Sequence, residues 1–399
     1  MKLLIISHTA HYYQNSSVVG WGPTVREIDH LAALFERVVH VAPLHPSPVP
    51  ASALPYTAGN VRLVSVPPSG GAGIRAKLDI LRHFPRYART IQGELQDADA
   101  VHVRCPANIS LLALLLLALR QHPRLRWIKY AGNWQPYEGE AWSYKLQRWW
   151  LTRNFARAQV TVNGDWSEQP NHIHPFLNPS LTANELDEAE CHVSVKGLSK
   201  PVSLLFVGRV EWEKGAGRAI DVVKLLGKVG IRAHLKLVGD GPERQEIEAH
   251  ASAIGVGEQV TFYGWVARTE LAPFYEQAHF FILPSQCSEG WPKVLCEAMA
   301  YGVVPLASDV SSIPQYLTAF KSGRTFPPTD VSAFADAVIS YLADPRQWKI
   351  ESENARCVAR YFSYGAYQEA VRRLFNLAEN ITESADHPAA PLWPGASVR

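Results

Sequence analysis

Short apolar runs alternate with helical patterns through the first 160 or so residues. Residues 3–7, 38–42, 61–66, 100–103 and 127–130 are apolar or β-branched runs with the length of buried strands. Helical periodicity occupies about 24–36, 75–96, 108–121 and 141–157, and 159–163 supplies one more strand. A polar, acidic stretch follows at about 182–200, and then the rhythm resumes. Strands are predicted at 203–207, 234–238, 260–263, 280–283 and 304–307, and helices at 216–229, 243–254, 268–277 and from about 292. Strands alternating with helices predict parallel sheets covered on both faces, that is, an α/β protein of two doubly wound, Rossmann-like domains. Such sheets bind ligands at the carboxyl ends of their strands. The expected divisions are 1–182 and 183–360. A C-terminal helix over 361–383, set off by the break Phe362-Ser363-Tyr364-Gly365, is expected to pack back on the first domain. The patternless tail 384–399 is expected to be flexible.

Composition narrows the partners. A length of 399 residues suits two or three domains, and a formal charge of +2 gives no reason to expect nucleic acid. Five cysteines (Cys105, Cys191, Cys287, Cys296 and Cys357) include no CxxC pair, which argues against a zinc site or disulfide framework and for a reducing, cytoplasmic setting. The longest apolar run, 109–119, has about half the ~20 residues a spanning helix needs. The apolar start of the chain is too short for a secretory leader and reads as a first strand. Within 75–96, Arg75, Arg82, Arg86 and Arg89 share one helical face, with Leu81, Phe84, Ile91 and Leu95 on the other and Pro85 expected to kink it. Trp142, Trp149 and Trp150 mingle with Lys145, Arg148, Arg153 and Arg157. That mixture fits peripheral contact with an anionic inner membrane face, or a solvated face over a core helix.

Candidate chemistry concentrates in the second half. Ser288-Glu289-Gly290-Trp291-Pro292-Lys293-Val294-Leu295-Cys296-Glu297-Ala298-Met299 follows the strand at 280–283. Pro292 suits the first turn of a helix, whose free N–H groups and dipole attract phosphate oxygens. At helical rise Glu289 and Glu297 would lie roughly 12 Å apart, so one carboxylate can meet sugar hydroxyls and the other ribose hydroxyls, with a diphosphate between. Upstream, Gly208-Arg209 and Lys214-Gly215 leave the strand at 203–207, offering a forked guanidinium and a mobile ammonium to phosphate. The Val238-Gly239-Asp240-Gly241-Pro242 turn reads mainly as architecture.

These motifs together resemble the family-four GT-B glycosyltransferases: Gly-Arg with a following Lys-Gly, V-G-D-G-P, the F-x-G strand end Phe262/Gly264, and E-G-x6-E-A-M-A-x-G. The resemblance covers about 203–325 closely and the rest by layout. It implies two domains facing across a cleft and retaining, metal-independent transfer from a nucleotide-diphosphate sugar to a glycan or lipid-linked acceptor, with no further cofactor. By that resemblance Arg209 and Lys214 bind the diphosphate, Glu289 the transferred sugar and Glu297 the ribose. Gly264 to Val266 lie beside the base, and Gly208, Gly290, Trp291, Lys293 and Val294 complete the donor site. Trp291-Pro292 replaces a frequent Phe-Gly, and Ser311-Ser312-Ile313-Pro314-Gln315 stands where Gly-Gly-Ile-Pro-Glu is common. In the first half, Gly20 and Gly22 are the nearest candidates for a glycine-rich loop closing on donor and acceptor. Asn133 is placed near the reacting sugar, with His102 and Arg104 as competing acceptor-side residues; His102 also reads as a hydrogen-bonded core residue.

A nicotinamide-dependent enzyme would need G-x-G-x-x-G directly after a strand, which neither 3–7 nor 203–207 provides. A nucleotide-sugar epimerase shares the donor and stays as the alternative. A non-catalytic carbohydrate-binding protein would explain the tryptophans but not the cations and carboxylates arranged for a diphosphate.

Overall fold

The computed structural model describes residues 1–69, 74–137, 139–193, 196–287 and 290–377, except the side chains of 74–81 and 192–193. The chain forms two compact units. The first comprises Met1–Phe176 and the segment from Gln368 onward; the second is Leu177–Tyr367, so the boundary precedes the expected 182.

In the first unit the order is β1 (Lys2–Ile6), β2 (His11–Gln14), β3 (Ser17–Trp21), α1 (Gly22–Ala32), β4 (Arg37–Pro43), β5 (Ala53–Pro55), β6 (Val61–Val66) and α2 (Ile74–Gln96). Then come β7 (Ala100–Cys105), α3 (Asn108–Ala118), β8 (Leu125–Tyr130), α4 (Trp142–Thr152), β9 (Gln159–Val162) and β10 (Ile173–Pro175). Seven strands make a parallel sheet in the order β10-β9-β8-β7-β1-β4-β6. A second, antiparallel sheet β2-β3-β5 escapes the sequence pattern. Its hairpin turns through Asn15 and Ser16, both with positive φ (47° and 66°). A two-residue hairpin turn needs that geometry, but without Asn-Gly or Asp-Gly it carries little signal. Pro85 lies inside a continuous α2, so no break occurs there. Arg82, Arg86 and Arg89 are exposed on that helix while Ile91 and Leu95 are buried; the side chains of Arg75 and Leu81 lie outside the described residues.

The second unit runs α5 (Ala183–Val193), β11 (Val202–Val207), α6 (Ala216–Lys228), β12 (Ala233–Val238), α7 (Arg244–Ala253), β13 (Val260–Gly264) and α8 (Ala272–Gln277). It continues with β14 (Phe280–Leu283), α9 (Lys293–Ala300), β15 (Val304–Ser308), α10 (Ile313–Phe320), β16 (Arg324–Phe326), α11 (Val331–Ala343) and α12 (Pro345–Ala359). Its parallel sheet has the order β13-β12-β11-β14-β15-β16. The helix expected over 268–277 is a 3-10 turn, Arg268–Glu270, followed by the short α8. The last helix, α13 (Tyr364–Phe375), starts in the second unit and joins the first from Gln368. There Gln368 donates to the His30 carbonyl (2.6 Å) and Phe375 packs edge-on against Phe35 and Trp127. The expected extension of that helix to 383 and the tail 384–399 lie outside the described residues.

Candidate donor site

Strand order alone selects a position in the second unit. The connections reverse between β11 and β14, and ligands of open α/β sheets bind where neighbouring strands lead off in opposite directions. The loops leaving those two strands begin at Gly208 and Pro284, and they carry the predicted residues.

The floor of this region is backbone. Gly208 N–H donates to the Val238 carbonyl (3.0 Å), Gly239 N–H to that of Gly264 (2.8 Å) and Val210 N–H to that of Asp240 (3.1 Å), so pairing runs on past three strand ends. A Cβ on Gly239, at φ 135°, would lie 1.8 Å from the Gly208 oxygen. One on Gly241 would lie 2.4 Å from the Val210 oxygen. The V-G-D-G-P turn is therefore the tight packing that brings these chain segments together. Beyond it Glu243 accepts from the Trp212 N–H (2.6 Å), and Glu246 from the Trp212 indole (3.0 Å).

Arg218, on α6, stitches the two switch-point loops. It donates to the Pro284 carbonyl (2.8 Å), the Gln286 side chain (3.3 Å) and the Glu213 carbonyl (3.1 Å), and Gln286 N–H also reaches Glu213 (2.9 Å). Gly215, at φ 88°, lets this loop approach Pro284, where a Cβ would sit 2.2 Å from its oxygen. Arg209 extends from the stitched loop, mostly exposed and paired with Glu211 at 2.5 Å. Such an exposed pair is worth little, so Arg209 can be shared with a bound anion at small cost. Lys214 lies in the same loop. Nothing in the sequence period marks Arg218; it occupies an ordinary helical position.

The second element is the start of α9. Pro292 is extended (φ −69°, ψ 123°) and stands just before the helix rather than in its first turn, so the helix begins at Lys293. Gly290 is pinned through its carbonyl by Ser312 Oγ (2.6 Å). Ser311 has φ 57°, which explains why glycine suits this place in the related pattern. Glu289 lies outside the described residues. Trp291 faces inward, contrary to a role for its ring at the donor. Its indole donates to Cys296 Sγ (2.8 Å) and stacks on Phe362 (5.1 Å between centroids), because a large apolar ring gains more in the core than at a polar phosphate site. Val294 is half-buried against the same core, and Lys293 Nζ lies 5.8 Å over the Tyr364 ring.

Glu297 follows Lys293 by one helical turn on the same face. It is buried, not a solvated helix residue, and both its oxygens are engaged: Oε1 by Arg268 Nε (3.0 Å) and Oε2 by Tyr275 Oη (3.0 Å). Arg268 also binds Glu185 and the Ser180 carbonyl (2.9 Å). Burial alone would lower the pKa of this guanidinium, but Glu297 and Glu185 outweigh it and hold the pKa above its usual value. Burial, then Glu297, pushes the Tyr275 phenol well up. Lys196, pushed down to about 7 by burial, donates to the carbonyls of Tyr275 (2.8 Å) and Tyr301 (3.0 Å). The sequence pattern placed Arg268 in a predicted helix and gave Arg268, Tyr275 and Lys196 no role. Gly264, at φ 71°, ends β13, and Trp265 after it is half-exposed, with Val266 packed on the core.

The first unit revises its predicted residues. Gly20 and Gly22 are not a mobile loop; they lie in β3 and at the start of α1. Added Cβ atoms there would come within 2.7 Å of the His11 ring and 2.6 Å of the Ser52 carbonyl. His102 is fully buried and stacked on Trp127 (3.8 Å), so it is a core residue rather than an acceptor-side one, but its ring nitrogens lack the hydrogen-bond partners that the core reading expected. Arg104 is turned to the buried Glu27 (2.7 Å), which also binds Lys129 (2.7 Å). Asn133 closes a local turn by accepting from the Gln135 N–H (3.0 Å).

Beneath β1 lies a one-way hydrogen-bond chain. His11 Nδ1 contacts the Thr9 carbonyl (2.8 Å), so it carries the proton and Nε2 accepts from Tyr56 Oη (2.8 Å). Tyr56 in turn accepts from His40 Nδ1 (2.7 Å), leaving His40 Nε2 to accept from Ser7 Oγ (2.7 Å). Both rings are neutral in this arrangement. Burial lowers His11 to about 4 and His40 well below 6.5, with further repulsion from neighbouring histidines and, for His40, from Arg104. The unfolded chain therefore takes up protons first as pH falls through 6.5. The stability that His11 contributes is full above that value and is lost between 6.5 and about 4, on the order of 1 kcal/mol per pH unit, and the burial of His40 acts in the same direction. Urea midpoints are expected to fall from pH 7 to pH 5 and to fall less in His11→Gln. Equal slopes would show that this chain does not set the acid limit.

Two units, each built on a doubly wound parallel sheet, define an α/β protein with two Rossmann-like sheets. Residues 192–358 match the family model of glycosyl transferases group 1. Over 159 residues the chain is 29% identical to the alpha-D-kanosaminyltransferase of Streptomyces kanamyceticus, covering 40% of this chain and 41% of that protein. The chain spans half or less of the length of the curated relatives it matches. Among solved structures, sucrose-phosphate synthase from Thermosynechococcus elongatus superposes with a TM-score of 0.68 at 19% identity, covering 94% of this chain and 98% of the other. HepE of Anabaena, in complex with UDP and glucose, gives 0.65 at 13% identity, covering 95% and 100%. The fold is GT-B.

Proposed function

We propose that this protein transfers a hexose-type sugar, with retention, from a nucleotide-diphosphate donor to a glycan or lipid-linked acceptor in polysaccharide or glycolipid synthesis. The observation that carries this reading is that the Arg209–Lys214 loop and the loop leading into the helix start at Lys293, with the buried Glu297 one turn on, leave the two strands that flank one switch point. Similar proteins support it: the alpha-D-kanosaminyltransferase, and HepE solved in complex with UDP and glucose.

In this reading Arg209, Lys214 and the N–H groups at Lys293 neutralise the diphosphate without a metal ion. Glu297 accepts from ribose hydroxyls, and the backbone at 264–266, with Trp265, flanks the base. The sugar–phosphate bond breaks as the acceptor oxygen bonds C1 from the same face. The acceptor's proton passes to the departing phosphate oxygen, so no protein nucleophile is needed. Support of the leaving charge and positioning then supply most of the rate. The setting is cytoplasmic, in keeping with five unpaired cysteines. Among the described residues no helix is long and apolar enough to cross a membrane.

The test is a transfer assay with nucleotide sugars and EDTA present, followed by NMR of the product's anomeric centre. Retained configuration and undiminished turnover are expected. An inverted product, loss of turnover in EDTA, or donor converted to its epimer without an acceptor would overturn the reading.

A further inference from the structure

The first unit presents an apolar, cationic surface that neither its fold nor the donor chemistry uses. Trp142, Lys145, Trp149 and Arg153 follow one another at helical spacing along α4 and its last turn, and all four are exposed, Trp142 at 73% and Trp149 at 50%. The opposite face of the same helix buries Gln147 and Leu151. Alongside, Leu119 at the end of α3 is 85% exposed and Phe155 is 43% exposed. These apolar groups are held in place. Arg126, from β8, donates to the carbonyls of Leu117 and Arg120 at the end of α3 and to that of Ala156 beyond α4, at 2.7–2.8 Å. Trp149, Trp150 and Phe155 form a ring cluster with centroids 4.9–6.4 Å apart. They line a surface groove with Ala118, Asn154 and Arg157.

Charge selects the occupant. From Ala100 to Gly164 the chain carries nine Lys and Arg residues against two acidic ones, Glu138 and Glu140. Arg148 is spent on Glu140. Arg124, Lys145, Arg153 and Arg157 are exposed around the apolar groups, and no ion pair among the described residues engages them. Another protein would be met by rings and by cations that hold no acidic partner among the described residues. A bilayer of anionic lipid needs no register: indoles settle at the headgroup level while Lys and Arg stay at the phosphates.

We propose that this face of α4, with the ends of α3 and Phe155, docks the protein on an anionic membrane surface. The apolar groups enter the headgroup layer, and the cations bind the surface charge without any segment crossing it. The inference stands apart from the donor reading, since none of these residues lies in the second unit.

The test is co-sedimentation of the full chain with vesicles of phosphatidylcholine alone, or with about 30% phosphatidylglycerol, over a range of salt. Binding only to the anionic vesicles, weakening with salt, is expected. Trp142→Ser with Trp149→Ser is expected to lower vesicle affinity at least about tenfold, and Arg153→Gln with Arg157→Gln to flatten its salt dependence. Nucleotide-induced thermal shifts, read on the same variants, stay at the wild-type value and show that the second unit is folded. Absence of binding to anionic vesicles at low salt, or equal binding by the tryptophan variant, would overturn the proposal. So would a concentration-dependent dimer that the tryptophan substitutions abolish, since a second copy would then be the occupant.

Discussion

Glu297→Ala is expected to destabilise the second unit by about 3 kcal/mol and to abolish nucleotide binding. The first effect follows from the pair itself. Arg268 is held by Glu297 (3.0 Å) and Glu185, and Tyr275 donates to the other Glu297 oxygen. Alanine removes one counterion from a largely buried guanidinium and leaves a buried phenol without its acceptor. The second effect is the proposed ribose contact, and the two can be separated. Arg268→Met combined with Glu297→Leu replaces the pair by apolar groups, a change that often restores stability. That double variant is expected to regain most of the urea midpoint and still show no nucleotide-dependent thermal shift. A double variant that binds nucleotide normally would reduce Glu297 to a packing role.

Gly239→Ala is expected to be as damaging, though Gly239 carries no functional group. Its Cβ would meet the Gly208 oxygen at 1.8 Å, from a backbone at φ 135° that L side chains rarely adopt. The strand ends would have to part, at a cost of at least about 3 kcal/mol, with disruption of the loop that carries Arg209. Gly227→Ala supplies the contrast. It lies in α6 with nothing within 4 Å of an added Cβ, so alanine is expected to raise stability by about 0.5–1 kcal/mol. Urea titration of both variants checks the pair, and a wild-type midpoint for Gly239→Ala would contradict the packing described.

How much of this was legible in the sequence depended on whether the signal was local. Buried parallel strands such as 203–207 and 280–283 are continuous apolar runs, so both large sheets could be read directly. The helix start at Lys293 was legible because strand, turn, proline and helix follow in order. The hairpin through Asn15 and Ser16 was not, because its turn lacks glycine. The inward direction of the Trp291 ring was not legible, because a motif position says nothing about which way a side chain faces. Arg268 and Arg218 have partners 29 and 83, or 66 and 68, positions away, and no spacing along the chain encodes such contacts. His102 and Arg104 end a buried strand, where candidate ligands and core residues share one pattern; only Trp127 and Glu27, met through the fold, decide between them.

The central claim, that the second unit binds a nucleoside diphosphate through Arg209, Lys214 and the start of α9, is tested most directly by thermal shift. The wild-type chain and Arg209→Ala/Lys214→Ala would be heated with UDP, GDP, ADP or the parent nucleosides. A ligand at about 100 times its dissociation constant adds roughly 2.7 kcal/mol to the folded state. At least one diphosphate is expected to raise the wild-type midpoint by several degrees, its nucleoside much less, and neither is expected to move the double variant. No shift with any nucleoside diphosphate, or an equal shift in the double variant, would contradict the account.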